Sequence, residues 1–116
     1  MKVTNIQWQR QGRELGRSTA GVARSFWLRL RGLLGRPALA PGDGLLIEPC
    51  NAIHTAFMGY NIDVVFVSPA HKILALAADV APWRMRTCFS ARYVVELAAG
   101  DIDRLQLTVG DICQLH

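Results

Sequence analysis

Cysteine is sparse in this 116-residue chain: three residues, at positions 50, 88 and 113, odd in number and far apart. That pattern argues against a secreted disulfide framework and reads as reduced, mostly buried thiols packed like small hydrophobes. Long apolar runs are missing too. No stretch approaches the ~18 residues that a membrane-spanning helix needs, and the start from Met1 to Arg10 is polar. No spanning or signal segment is expected, and a cytoplasmic location follows. There is no glycine-rich phosphate loop, no C-x2-C or H-x3-H spacing and no carboxylate pair spaced for glycosidase or phosphoryl-transfer work. No catalytic residue set is complete, and no cofactor is expected.

Acid is scarce at one end. Residues 1–36 carry Lys2, Arg10, Arg13, Arg17, Arg24, Arg29, Arg31 and Arg36 against Glu14 alone, a net of +7. The rest holds five bases and eight acids, a net of −3, which gives the chain its +4. Such asymmetry suits nucleic acid, an anionic surface or an acidic partner, and equally a solvated arginine face. The solvated face is favoured over nucleic acid, because no nucleic-acid-binding motif accompanies the charge.

Apolar residues make up 51% and charged residues 19%, and the apolar ones fall in short blocks between Gly, Pro and polar pairs. One domain over residues 1–116 is expected, large enough to bury roughly two-thirds of its unfolded surface. Residues 2–9 and 13–17 flank Gln11-Gly12 as a hairpin with weakly specified strands. After Ser25, the residues Phe26 or Trp27, Leu30 and Leu33 or Leu34 recur at helical spacing, while Arg24, Arg29, Arg31 and Arg36 leave that stripe. This predicts one helix over 24–34, stopped by Gly35 and Pro37. Leu45–Ile47, Ile62–Val67, Lys72–Ala77, Arg84–Ser90, Tyr93–Leu97, Leu105–Val109 and Ile112–Leu115 read as short strands between turns. The fold class is mainly β (a β-rich α+β domain): a small antiparallel sandwich or open barrel with one packed helix.

An ordered set of motifs carries a family resemblance. It comprises Arg31-Gly32-Leu33-Leu34-Gly35-Arg36, Gly44-Leu45-Leu46, Cys50 with Ile53-His54-Thr55, Met58, Ile62-Asp63-Val64, Pro82-Trp83-Arg84, Val95 to Gly100 and Gly110-Asp111. Over residues 22 to 115 the chain resembles the domain-of-unknown-function 192 family (DUF192). The resemblance implies a small, mainly β domain of bacteria and archaea without an established activity, substrate or cofactor. It also implies that some relatives accompany pilus-assembly or secretion genes. His54-Thr55 stands where the commoner pattern has Lys-Asn-Thr, and Asn61 where Pro is usual, which places the chain with a histidine-bearing subgroup.

Cys50 to Val67 concentrates a thiol, an imidazole, a thioether and a carboxylate. Cys50 and His54 are the residue types that bind a soft divalent metal, but two ligands do not complete a site. Cys50 as thiolate, His54 as base and Asp63 as orienter would make a thiol enzyme, the alternative to a binding role. Asp63, at the mouth of a buried strand, has to find donors: backbone N–H groups, the Thr55 hydroxyl or His54. Phe57, Met58 and Tyr60 read as a core cover or a binding lip, and Trp83-Arg84 as an indole–guanidinium stack or a packed corner. Glu96 reads as a polar group on a strand and Asp111 as a turn residue. The favoured function is a non-enzymatic binding or accessory module for a small ligand or protein partner. Its candidate site is the loop 50–63 with residues 83–84, namely His54, Thr55, Met58, Asp63, Trp83 and Arg84.

Overall fold

The structure, a computed structural model, describes residues 1–116. β1 (Lys2–Arg10) and β2 (Arg13–Ala23) form a hairpin about Gln11 and Gly12, whose φ values of 51° and 77° match a two-residue turn between twisted strands. The hairpin was expected; its second strand runs on to Ala23. Ser18, Ala20 and Val22 alternate inward there, and the small Ser18 and Ala20 face a fully buried Trp8 whose indole N–H donates to Ser18 Oγ at 2.9 Å.

α1 (Phe26–Arg31) begins where the Ser25 hydroxyl accepts the Leu28 N–H. It ends at Gly32, with φ 51° and ψ −128°, and not at Gly35. Six residues make less than two turns, so the expected inward stripe does not form. No residue of the helix is buried; Phe26, Trp27 and Leu30 are 63%, 75% and 60% exposed, Leu28 packs half-buried against the core, and Leu33 beyond the helix is buried in it.

β3 (Asp43–Ile47) returns parallel to β2, the one parallel pair. β4 (Ala52–His54) pairs with β7 (Met85–Thr87) as a separate ribbon, so only three residues of the expected Arg84–Ser90 strand are extended. β5 (Ile62–Val67), β6 (Ile73–Val80) and β8 (Tyr93–Ala98) pair antiparallel. The expected Leu105–Val109 strand is replaced by α2 (Asp101–Leu105), with Ile102, Leu105 and Leu107 buried, before β9 (Ile112–Leu115). No helix is long and apolar enough to cross a membrane.

The main sheet runs β6-β5-β8-β3-β2-β1-β9. It curls until its two outer strands meet at a single Lys72–Ile112 bridge, stopping short of a closed barrel. The mainly β class is the one expected, and of the sandwich and open barrel it takes the open form, with one parallel pair and a second short helix added. β5 and β8 are buried along their whole lengths, because each face of the sheet meets its own core. Trp8, Leu46, Val65, Val67, Val95 and Leu97 point to one, which α2 joins. Leu45, Ile47, Ile62, Val64, Phe66 and Val94 point to the other, covered by Leu33 and the residues from Cys50 to Tyr60. Side chains alternate along a strand, so this assignment dictates which face every polar residue of β5 and β8 must occupy.

Candidate functional site

On β8, Val94 and the residue two positions on share the second core's face, and that residue is Glu96. Its side chain is 4% exposed and forms no hydrogen bond or ion pair with any protein group. Glu96 lines a cleft of about 100 Å³. The cleft lies between α1, the end of β3 and the β4 region, with Gly32, Leu33, Ile53 and Met58 among its walls. A Cβ on Gly32 would stand 3.7 Å from Glu96 Oε1, so the missing side chain leaves the carboxylate uncovered from above. Burial alone pushes the Glu96 carboxyl up to about 7, because no donor or cation compensates the lost water.

Cys50 and His54 line the same cleft, with Arg29 and Arg31 from the helix side. The Cys50 thiol donates to Ala52 O at 3.1 Å, and burial, with a smaller contribution from the Glu96 charge, raises its pKa. A thiol so placed is a poor source of thiolate. Nη1 of Arg29 donates to Pro49 O, while its Nε is buried without a partner. Tyr60 anchors the strap beyond α1: its hydroxyl reaches the carbonyls of Leu33 and Arg36 at 3.4 and 3.3 Å. An apolar groove beside Phe26, Leu30 and Pro49 runs into the cleft past Cys50 and His54.

The residues singled out from sequence separate into three groups. His54 and Met58 are at the cleft. Thr55 is fully buried and structural: its hydroxyl donates to Ala81 O at 2.7 Å and accepts the Arg84 N–H at 2.8 Å. Asp63 is also fully buried, on the opposite face of the sheet, accepting N–H groups from Asp79, Gly100 and Ile102 at 2.8, 3.1 and 2.8 Å. Those bonds tie β5 to β6 and organise the start of α2. Trp83 packs edge-on against Phe57 at 4.6 Å, both exposed, and the Arg84 guanidinium bonds the Trp83 carbonyl.

No hydrogen bond joins Cys50, His54 and Asp63, and the sheet itself separates Asp63 from the other two. No three His, Cys, Asp or Glu side chains converge. The sequence reading took Glu96 only as a polar group on a strand and did not place it in the site. The signal was present: a glutamate in the middle of Tyr93-Val-Val-Glu-Leu-Ala98, an otherwise apolar strand, carries a burial cost that calls for a reason.

Comparison with known proteins agrees with this architecture. A sequence model of the DUF192 family, described as uncharacterized ACR, matches residues 6–115. A UPF0127 protein of Thermococcus sibiricus is 32% identical over 98 residues, covering 78% of this chain; the match spans 61% of that relative's length. A candidate transcription regulator of Sinorhizobium meliloti 1021 superposes with a TM-score of 0.89 at 21% identity, over 98% of this chain and 94% of its own. A protein of unknown function from Novosphingobium aromaticivorans gives 0.82 at 19% identity, over 95% and 83%. At those identities the likeness is one of fold.

Proposed function

This chain belongs to the uncharacterised DUF192 family, and from that premise we propose that it is a non-enzymatic binding module whose ligand enters the cleft above Glu96. One observation carries the reading: a carboxylate is held in an apolar wall with no protein partner, yet open to a cavity. Burying such a group costs several kcal/mol unless something satisfies it, so its position in the cleft wall supports a ligand as its partner. His54 and Met58 belong to this site; Thr55 and Asp63 hold the frame that presents it. Trp83 with Phe57, like Phe26 with Trp27, adds exposed aromatic area of the kind that anchors partners. The raised pKa of Cys50 and the distance in fold between Cys50 and Asp63 weigh against the thiol-enzyme alternative.

NMR titration of the isotope-labelled chain with a mixed set of small neutral, cationic and anionic fragments tests this. Shifts that cluster at Gly32, Cys50, His54 and the Met58 methyl group are expected. Shifts confined to other surfaces, or none with any fragment, would overturn the assignment of the site.

A further inference from the structure

We infer that the group received by the cleft is a primary alkylammonium, its charge on the Glu96 carboxylate and its methylene stem against Leu33, Ile53 and Met58. The inference rests on the binding reading above and names the chemistry of its ligand. Glu96 lines the cavity and its carboxylate receives no protein donor, so the complement is a group that brings several N–H bonds and a positive charge. No protein cation supplies them: no arginine lies within ion-pair distance of Glu96, and no charge acts on its ionisation strongly enough to register beside the loss of water. The walls are mostly apolar, which suits a flexible hydrocarbon stem carrying a polar head. The cavity, about 100 Å³, is narrow, and it opens into the apolar groove beside Phe26 and Leu30, where the rest of the ligand would lie.

The charged and titratable groups around the carboxylate are Arg29 and Arg31 from the helix side, Cys50 and His54 from the β4 region, and Tyr60 before β5. Since burial pushes Glu96 up to about 7, an ammonium has to displace its proton, and binding strengthens as pH rises through that value.

The test titrates the full chain with n-butylammonium, with Nα-acetyl-lysine methylamide, and with 1-butanol and butyrate as controls, at pH 6 and pH 8. Gly32, Cys50 and His54 amide shifts provide the readout. Butylammonium should saturate with a dissociation constant on the order of 1 mM, the scale open to so few atoms. It should bind more tightly at pH 8 than at pH 6, and roughly tenfold more weakly in Glu96→Gln, which keeps shape and removes charge. The same order with the lysine derivative assigns the ammonium to a protein side chain; binding of butylammonium alone assigns it to a small amine. Either result supports the inference. Three results overturn it: 1-butanol binding as well as the amine, butyrate binding better, or amine binding unchanged in Glu96→Gln. In those three cases the cleft is still a binding site. Silence from every probe overturns both readings.

Discussion

Asp63 and Glu96 sit on adjoining strands, Asp63 opposite Leu97 and Glu96 opposite Val64, yet they face opposite sides of the same sheet. Both are buried. One accepts three backbone N–H groups, while the other accepts none from the protein. The first therefore holds the fold together and the second works against it, and the two respond differently to substitution.

Asp63→Ala removes a fully buried acceptor of three backbone N–H groups, two of them at the start of α2 and that of Ile102 itself buried. A loss of about 3–5 kcal/mol is expected, from charge-assisted bonds of roughly 1.5–3 kcal/mol each that do not add fully. Urea denaturation measures it, and hydrogen exchange should show Ile102 deprotected before the strands.

Glu96→Gln should stabilise the chain at pH 8. The folded-state carboxyl is raised to about 7 from an ordinary 4.5, so the folded protein holds the proton more tightly than the unfolded one. Its contribution is most favourable below the unfolded value and is lost as pH rises from about 4.5 to about 7, a change of about 3 kcal/mol. The difference in stability between wild type and variant, measured by denaturation at pH 5 and pH 8, should widen in the variant's favour at the higher pH. A difference that does not depend on pH would contradict the burial argument.

Thr55→Val keeps the volume of a fully buried side chain but deletes a donor to Ala81 and an acceptor for Arg84. About 1–2 kcal/mol of stability should go, since two partly buried backbone groups lose their partner on a fully buried side chain. Exchange of the Arg84 amide and of the Trp83 amide, which donates to the Thr55 carbonyl, should accelerate.

The thiols should report their depth. Cys113 is fully buried, and the loss of water pushes it up to about 12; Cys50 is raised by burial to a lesser degree, and Cys88 is half-buried. Reaction with a thiol reagent at pH 8 should label Cys88 first, Cys50 more slowly and Cys113 only on unfolding. Mass spectrometry of the labelled peptides checks the order.

How much could be read without the fold varies by residue. The β1–β2 turn was legible because Gln11-Gly12 supplies its positive φ values locally. β5 was legible from a β-branched and aromatic run that no helix would choose. α2 was not, because Asp101-Ile-Asp-Arg-Leu105 is too short to signal by periodicity and its first turn is organised by Asp63, 39 positions before Ile102. α1 misled in the opposite sense. Its apolar spacing was real, but the turn at Gly32 ended it before a stripe could reach the core.

The sequence by itself determined the main strands, several turns and the family, since φ preferences, side-chain branching and the order of motifs are properties of neighbouring residues; it missed β4 and read the α2 region as a strand. It also put Cys50, His54 and Asp63 close along the chain. Only the tertiary structure decided that Asp63 belongs to one core and the Cys50–His54 region to the other, and that Glu96, more than thirty residues on, joins that cleft. The reason is geometric: a strand's alternation says which residues share a face, while the curl and pairing of the whole sheet say what each face meets.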